Sequence, residues 1–411
     1  MAAARLTGSA QTPVADTEYI RKAVTFLASD NMKGRPNFSK EQLNAAKFLY
    51  NEFRQAGLKP FQGFNNYLIT FSVKDSAGDK GAELMWNGKR VPADQYYYIP
   101  SQQKPRILTR DSFLIVHLPD NVPDSIIKGY WDNAENVLFE VYVPKDSSLH
   151  KMVDRIAVPG YPPKSDILIC GLGEMSGTVS LNYFGGYPLS PLYNIVGVLP
   201  GKSKSSEMVI FSAHYDHIGK GMNGSEEVIY NGANDNASGV AAVLSLARYY
   251  ASRGNNERTL VFCLFAAEEL GLVGSTTFAS IIDGRKVKAV INLEMIGQTS
   301  VTGKNSFFIT GESYSTLNSI FSKNLKNDKV KTRWYNDQSN LFARSDNYPF
   351  FLKGIPAHTI MSSDEKEPCY HKACDDAGKI DFVNMAEIIR AVAKGCETII
   401  SGVDTPVLKK K

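Results

Sequence analysis

Residues 260–275 read LVFCLFAAEELGLVGS, and this stretch decides which fold the sequence favours. Its first eight residues are all apolar, and they lead directly into two adjacent acids, Glu268 and Glu269. A short apolar run without alternation is typical of a strand covered on both faces, as in a parallel sheet between helices. The run therefore predicts a buried strand that leads into two carboxylates.

Four further apolar runs predict strands of the same sheet: NIVGVLPG (194–201), EMVIFSAH (207–214), KVKAVINLEMIG (286–297) and IPAHTIM (355–361). Helical patterns lie between several of them, notably in NASGVAAVLSLARYYASR (236–253) and STTFASIID (275–283). Apolar strands that alternate with helices indicate an α/β fold. We expect a mixed, mostly parallel central sheet with helices on both faces.

Apolar residues at helical spacing also predict helices near both ends of the chain, in residues 16–30, 39–58 and 383–401. In the second of these, Ser39 and Gln42 are expected to form a capping box, and Gly57 to end the helix. Its predicted apolar face is Leu43, Ala46, Leu49, Tyr50 and Phe53.

Residues 71–189 have a different pattern from the rest of the chain. Short alternating or apolar runs are separated here by Pro, Gly, Asp and Asn, which predicts a β-rich unit. We interpret this unit as a subdomain inserted into a discontinuous α/β domain. The expected division is 17–70 and 190–402 for the α/β domain, 71–189 for the insertion, and 1–16 and 403–411 for tails.

The composition indicates an ordinary globular protein. The chain has 411 residues, of which 43% are hydrophobic and 21% charged, with a net charge of +4. At this length a large core can form without disulfides or metals, so a metal site would be functional rather than structural. Basic residues are spread along the chain apart from a short run at 409–411, which argues against a nucleic-acid partner. No apolar segment is long enough to cross a bilayer.

Side chains that can bind metals follow the predicted strands. They are His214 and Asp216, Glu268 and Glu269, and Glu294 at three strand ends, Asp235 before a helix, and His371 after a fourth strand. The carboxyl ends of parallel strands meet at one edge of a sheet, where ligands bind, so we expect these side chains to converge. Each alone has an ordinary structural explanation, such as a helix cap for Asp235. Together, buried carboxylates would cost several kcal/mol each without cations, which predicts a pair of divalent cations.

Six segments in this order resemble the M28 family of zinc aminopeptidases, of the aminopeptidase Y and aminopeptidase S types. They are SAHYDHIG (212–219), NGANDNASG (231–239), FAAEELGLVGS (265–275), INLEMIG (291–297), SDNYPFFLKGIPA (345–357) and YHKACDD (370–376). The N-terminal LASDNMKGR (27–35) also looks like that family. The resemblance covers about residues 17–70 and 190–400 and implies a zinc-exopeptidase fold.

Carried over residue by residue, the resemblance implies two zinc ions bridged by Asp235. His214 and Glu294 would complete one zinc site, and Glu269 and His371 the other. Asp216 would hold the ring of His214 or a neighbouring peptide in place. Neutral imidazole and carboxylate are ligands that zinc accepts, and a bridging carboxylate suits two ions about 3.5–4 Å apart.

The two adjacent glutamates would have different roles. Glu268 would be the general base that takes a proton from a metal-bridging water and returns it to the leaving amine. Neighbouring side chains on an extended segment point to opposite sides, so Glu269 can face a metal while Glu268 reaches the water. Tyr370 matches the family tyrosine whose hydroxyl stabilises the oxyanion, with a packed aromatic ring as the alternative.

One position departs from the family, because many relatives carry aspartate where this chain has Glu294. The longer side chain can still reach a metal, but occupancy of the first zinc site and selectivity for a free α-amine depend on it. His217 is interpreted as structural. Cys369 and Cys374 flank His371, and our hypothesis is that they form a disulfide that fixes the ligand loop in an oxidising compartment.

The function implied is a di-zinc metallo-exopeptidase that removes N-terminal residues from peptides or proteins. A single-zinc, glutaminyl cyclase-like acyltransferase and a non-catalytic binding protein of the same fold are the alternatives, and the complete ligand set with Glu268 favours hydrolysis. We expect a secreted or periplasmic protein, although residues 1–16 contain no signal-peptide pattern. Residues 71–189 and 332–346 are hypothesised to form a rim that limits substrate size.

Overall fold

The structure is a computed structural model. It describes residues 13–74, 82–92, 95–99, 101, 106–118, 130, 135–141, 164–171, 176–183, 189–223 and 226–409. Of the predicted tails, 1–16 and 403–411, residues 1–12 and 410–411 lie outside the described residues. The chain divides into two compact units, one made of Met1–Phe71 and Pro191–Lys411 and the other of Ser72–Ser190.

The strands, in chain order, are Lys59–Pro60 (β1), Leu68–Lys74 (β2), Ala82–Trp86 (β3), Lys89–Arg90 (β4), Tyr96–Ile99 (β5), Arg106–Thr109 (β6), Leu114–Leu118 (β7), Val137–Val141 (β8), Ile167–Cys170 (β9), Val179–Tyr183 (β10), Leu189–Leu199 (β11), Lys204–His214 (β12), Gly219–Asn223 (β13), Glu226–Tyr230 (β14), Arg258–Phe265 (β15), Val287–Leu293 (β16), Ser306–Ile309 (β17), Lys331–Thr332 (β18) and Ala357–Met361 (β19). The α-helices are Thr17–Leu27 (α1), Lys40–Gln55 (α2), Gly239–Arg253 (α3), Val273–Ile281 (α4), Leu317–Asn324 (α5), Tyr348–Phe351 (α6), Phe382–Gly395 (α7) and Glu397–Ile400 (α8).

The larger unit is organised around a nine-stranded mixed sheet. Its strand order is β1-β11-β15-β12-β16-β19-β17-β18, and β2 also pairs with β11. The central strands β15, β12, β16 and β19 are parallel to one another. β11 runs antiparallel to β1 and β15, and β17 runs antiparallel to β19 but parallel to β18. The predicted α/β fold with a mixed, mostly parallel sheet is therefore confirmed.

Strand β15 lies in the middle of this sheet and is buried along its whole length. Because successive side chains of a strand point to opposite faces, β15 contributes to two apolar layers. On one face, Phe265 packs against Phe278 of α4, with ring centroids 6.0 Å apart. On the other face, Phe262 stacks with Phe211, which in turn stacks with Tyr250 of α3. Helices thus cover both faces, which explains the unbroken apolar run in the sequence.

Three details of the predicted helices are wrong. Gln42 does donate its backbone N–H to Ser39 Oγ, but its side chain accepts from the N–H of Phe38 instead of that of Ser39, so only half of a capping box forms. Leu43 lies outside the buried face of α2 and is 40% exposed. The last predicted helix is divided at Cys396 into α7 and α8.

The smaller unit contains two four-stranded sheets, with strand orders β4-β3-β10-β6 and β5-β9-β8-β7. Its buried apolar cluster includes Leu84, Tyr98, Leu138, Leu168 and Leu181, which come from both sheets. The β-rich character predicted for this region matches these strands. None of the described helices, in either unit, has the length and apolar character needed to cross a membrane.

Candidate metal centre

Three neighbouring parallel strands end at one edge of the central sheet, where the predicted site residues lie. β12 ends at His214, β16 is followed by Glu294, and β15 is followed after a short turn by Glu268 and Glu269. Asp235 comes from the turn that precedes α3, and His371 from the loop after β19. The topology therefore brings the predicted ligands together from five separate segments of the chain.

Asp235 stands at the centre of this group. Its Oδ1 lies 3.3 Å from Nε2 of His214, and its Oδ2 lies 3.1 Å from Nε2 of His371. The same His371 nitrogen lies 3.6 Å from Oε1 of Glu269. Asp235 thus presents one oxygen to each of two histidines, which is the arrangement expected of a carboxylate that bridges two metal ions.

The remaining predicted residues share a cavity with this group. Glu294 Oε2 accepts a hydrogen bond from Ser345 Oγ. The ring of Tyr370 stacks on that of His371, with centroids 3.9 Å apart. The cavity is lined by Asp235, Glu268, Glu269, Glu294, Met295, Leu341, Arg344, Met361, Glu365, Tyr370 and His371.

His217, which the sequence analysis interprets as structural, also lies in this group. Its Nδ1 is 2.9 Å from Oε1 of Glu269 and 3.9 Å from Oδ2 of Asp235. One donor atom from each of His217, Asp235, Glu269 and His371 lies within 4.8 Å of every other. The available signal was its spacing, because a second histidine follows His214 by three residues where the chain leaves the end of β12.

Asp216 organises the residues around the site. Its Oδ1 accepts from the backbone N–H of Glu268 at 3.2 Å, and its Oδ2 accepts from that of Glu269 at 3.3 Å. Asn37 also donates to Oδ2 through its side-chain amide, at 2.7 Å. The ring of His214 faces the backbone carbonyl of Asp216, at 3.2 Å from Nδ1. The Asp216 carboxylate therefore holds the peptides of Glu268 and Glu269, and the Asp216 carbonyl orients the ring of His214.

The two glutamates lie on a turn, and the expectation of an extended segment there is wrong. Ala267 adopts a left-handed conformation with φ +58°, and the carbonyl of Glu268 accepts from the N–H groups of Gly271 and Leu272. The chain turns here because Asp216 accepts both glutamate N–H groups. Both carboxylates therefore extend from this turn, from which Glu269 reaches His217 and His371.

The turn that carries Asp235 is held by polar side chains that the sequence reasoning did not single out. Asp375 accepts from the backbone N–H groups of Asn234 and Asp235, at 2.7 and 3.0 Å. Asn236 Oδ1 accepts from the N–H of Met295, which follows Glu294. These bonds link the turn of Asp235 to the segments of His371 and Glu294.

Arg35 joins two further parts of the site from the buried N-terminal segment. It is fully buried, and its guanidinium donates to the backbone carbonyls of Tyr215, Asn231 and Gly232, and also of Leu27. A planar guanidinium with several fixed donors suits this task, because it can satisfy carbonyls on two loops at once. Arg35 therefore ties the segment after His214 to the turn before Asp235.

The loop of His371 is closed by the predicted disulfide. Cys369 and Cys374 are bonded to each other, with Cα atoms 5.2 Å apart, which confirms the hypothesis drawn from their spacing. Tyr370 and His371 lie within this small covalent ring, and His371 itself has φ +52°. The other three cysteines, Cys170, Cys263 and Cys396, are free and buried.

The buried charges of the site separate the acids into two groups. Burial raises the pKa of Glu268 well above its usual value, and it raises that of Glu294 to about 7. Burial also opposes ionisation of Glu269, but hydrogen bonds from His217 and His371 outweigh it and lower the pKa to about 2. Hydrogen bonds from two histidines thus favour the ionised form of Glu269, whereas at Glu268 and Glu294 burial outweighs the charge of His214 and favours the protonated form.

A larger groove of about 590 Å³ lies beside this cavity and contains none of the predicted ligands. Trp334, Tyr335 and Asp364 are among the residues that line it. The ring of Tyr335 packs with the apolar cluster around Met295 and Tyr370, so the groove adjoins the site. We take the smaller cavity as the chemical site because the ionisable side chains converge there.

Residues 194–395 match the family model described as peptidase family M28. A probable leucine aminopeptidase of Trichophyton verrucosum is 33% identical over 205 residues, which are 47% of this chain and 54% of that protein. The chain spans about half the length of the curated relatives it matches. All of the predicted ligands and Glu268 lie inside the matched segment.

Solved structures with similar folds include enzymes of two kinds. BSAP, a zinc aminopeptidase from Bacillus subtilis, has a TM-score of 0.60 and 16% identity, covering 96% of this chain and 98% of that one. A glutaminyl cyclase from Porphyromonas gingivalis has a TM-score of 0.53 and 13% identity, covering 94% and 99%. At these identities the likeness shows a common fold. The family match identifies residues 194–395 of this chain as a domain of peptidase family M28.

Proposed function

We propose that this protein is a di-zinc aminopeptidase that hydrolyses the N-terminal peptide bond of peptides. The observation that carries the proposal is the position of Asp235, whose two oxygens face His214 and His371 separately. Glu294 would join His214 at one zinc ion, and Glu269 would join His371 at the other. Glu268 lines the same cavity and is not a ligand in either of these two zinc sites.

The donor atoms fit zinc. Imidazole nitrogen and carboxylate oxygen are both zinc ligands, and His214, Asp235 and Glu269 are held from behind by backbone and side-chain hydrogen bonds. Bound zinc would lower the pKa of a water molecule and polarise the scissile carbonyl. The buried acids support this fit, because cations would compensate carboxylates that burial otherwise tends to protonate.

Glu268 is proposed as the general base. It accepts a proton from the attacking water and then delivers that proton to the leaving amine. A base needs a pKa close to the working pH, and burial raises the pKa of Glu268 from the usual carboxyl range. Asp216 accepts a hydrogen bond from the backbone N–H of Glu268, which fixes the backbone position from which the Glu268 side chain extends.

Tyr370 and Glu294 are proposed to bind the substrate on either side of the reacting bond. Burial raises the pKa of Tyr370, so its hydroxyl keeps its proton and can donate to the oxyanion. The ring is positioned by stacking on His371. Glu294 would accept from the free α-amine of the substrate, which restricts hydrolysis to the N-terminal residue.

The cavity favours an apolar N-terminal residue. Met295, Leu341 and Met361 line it beside the acids, and these side chains belong to one apolar cluster. A leucine or methionine side chain would replace water against this surface, at about 25 cal/mol per Å² of apolar area buried. The adjoining groove at Trp334 and Tyr335 would accept the residues that follow.

Glutaminyl cyclisation is the alternative reaction on this fold, and it would use a single zinc ion. We propose hydrolysis because His214, Asp235, Glu269, Glu294 and His371 together provide ligands for two ions. We also propose an oxidising location, periplasmic or secreted, because disulfides such as Cys369–Cys374 persist in oxidising compartments.

A panel of aminoacyl p-nitroanilides tests the proposed activity. Leucine and methionine substrates should be hydrolysed fastest, and glutamate and lysine substrates slowest. The matched control is N-acetyl-leucine p-nitroanilide, which lacks the free amine and should not be hydrolysed. Turnover of the acetylated substrate alone would contradict an aminopeptidase, and cyclisation of glutaminyl peptides without hydrolysis would favour the alternative.

A further inference from the structure

His217 lies in the candidate metal centre, but it is not one of the ligands in the proposed function. Its Nδ1 is 2.9 Å from Oε1 of Glu269 and 3.9 Å from Oδ2 of Asp235, so the nitrogen points at the space between two carboxylates. His371 places its Nε2 at 3.6 and 3.1 Å from the same two oxygens. The two histidines therefore face a common point from different sides.

The ring of His217 is held rigidly in this position. It is 1% exposed, and its plane lies at 72° to that of His371 with centroids 5.5 Å apart. It packs directly against Gly232, where an added Cβ would come within 2.6 Å of the imidazole Cδ2. Its backbone N–H donates to the carbonyl of Arg35 at 3.3 Å. The buried surroundings thus place the ring before any metal arrives.

Only one nitrogen of this ring has a polar partner. Within the described part of the chain, Nε2 of His217 is buried without a hydrogen-bond partner. A neutral imidazole is the form that binds zinc, and Nδ1 is the nitrogen that faces the acids.

The distances fit four-coordinate zinc. Tetrahedral ligands with bonds of about 2.0–2.1 Å lie roughly 3.3–3.5 Å from one another. The four distances between these carboxylate oxygens and histidine nitrogens, from 2.9 to 3.9 Å, scatter around that value. All four donor atoms lie within 4.8 Å of one another.

We propose that His217 is a fourth protein ligand, through Nδ1, to the zinc ion held by Asp235, Glu269 and His371. This inference rests on the zinc centre of the proposed function and goes beyond it by making the two sites unequal. The site with His217 has four protein ligands, whereas the site of His214, Asp235 and Glu294 has three. The four-ligand site fills first and releases its ion last.

The ligand role is distinct from a simpler one, in which His217 only donates a hydrogen bond to Glu269. X-ray absorption of the metal-free protein loaded with one zinc per chain separates the two. If His217 is a ligand, the first zinc carries two imidazoles, from His217 and His371. If it only orients Glu269, the first zinc carries one. This measurement needs no variant and therefore does not depend on a variant's folding.

The variant His217→Asn gives a second readout. Asparagine can still donate a hydrogen bond to Glu269 but cannot replace an imidazole ligand, so zinc affinity at the tighter site should fall on the order of 100-fold, measured by chelator competition. His117→Asn, on an exposed histidine of the smaller unit, is the control and should leave both affinities unchanged. Circular dichroism of each variant checks that it is folded.

The outcomes separate this proposal from the proposed function. Two imidazoles on the first zinc, with the affinity loss in His217→Asn, support the ligand role. One imidazole, or an asparagine variant that binds as tightly as the wild type, would overturn it and leave the di-zinc centre intact. Failure to bind any zinc would overturn both.

Discussion

At the scale of single residues, Glu268 and Glu269 illustrate how neighbours in sequence acquire different chemistry. Asp216 accepts hydrogen bonds from both of their backbone N–H groups at the turn that carries them. Glu269 meets His217 and His371, which keep it ionised, whereas burial raises the pKa of Glu268. A metal ligand must be a stable anion, and a general base must accept a proton, so the two environments match the two proposed roles.

The first prediction uses these two residues as a matched pair. Glu268→Gln should lower kcat by about 10²–10⁴-fold, the usual contribution of a general base, while two zinc ions remain bound. Glu269→Gln should instead lose zinc, because the amide is a weaker ligand. Zinc content by elemental analysis and kcat with leucine p-nitroanilide measure both effects. Loss of zinc from Glu268→Gln would contradict the separation of roles.

His358 allows a prediction about stability that is independent of the zinc centre. Burial lowers its pKa from 6.5 to about 4, while Nδ1 and Nε2 contact Thr310 and Ser315. Below pH 6.5 the unfolded chain binds a proton at this site that the folded chain does not, so folding stability falls as the pH falls towards 4. Between pH 7 and pH 5 the loss should be about 2 kcal/mol.

Urea unfolding of the metal-free protein at pH 7 and pH 5 measures this loss. His358→Gln lacks the titrating group, so the stability difference between wild type and variant should shrink by about 2 kcal/mol at the lower pH. An equal difference at both pH values would show that His358 titrates normally in the folded protein.

At the scale of elements, the loops that carry ligands are ordered by bonds to their backbone. Asp375 holds the turn of Asp235, Arg35 holds two loops by their carbonyls, and a disulfide closes the loop of His371. Strands alone would bring only His214, Glu268, Glu269 and Glu294 to the sheet edge. The side chains that hold the loops fix the positions of the other ligands, Asp235 and His371.

The disulfide yields the third prediction. Replacing both Cys369 and Cys374 by serine should lower the free energy of unfolding by about 2 kcal/mol, because the closed loop is short. The larger effect should be local, because the loop of His371 is no longer closed by a disulfide. Zinc affinity should therefore fall on the order of tenfold. Chelator competition and urea unfolding measure the two quantities.

Reduction of the wild-type protein should reproduce the weaker zinc binding, whereas the double serine variant should not respond to reductant. The three remaining cysteines are free thiols, so they contain no other disulfide for the reductant to cleave. Unchanged zinc affinity in the double variant would mean that the loop holds His371 without the disulfide.

At this scale the sequence predicted strands better than turns. Apolar runs such as residues 260–265 are determined by burial on both faces, so β11, β12, β15, β16 and β19 could be predicted from local pattern. The direction of Glu268, the exposure of Leu43 and the break at Cys396 depend on partners distant in sequence. Local periodicity contains no information about these partners.

At the scale of the whole molecule, the ligands come from five segments between residues 214 and 371 and become neighbours only through the parallel sheet. The sequence could predict their convergence, because strand ends in such a sheet meet at one edge. It could not predict that His217 joins them, since its position depends on Gly232 and on the path of the chain after β12. The role of residues 71–189 in limiting substrate size stays a prediction.

In the proposed mechanism, two zinc ions in this centre perform the hydrolysis. Titration of the metal-free protein with zinc tests this, with bound metal and leucine p-nitroanilide hydrolysis followed on the same samples. Activity should be absent without metal and should reach its plateau when two zinc ions are bound per chain. Full activity in the metal-free protein, or saturation at a single zinc ion per chain, would contradict the claim.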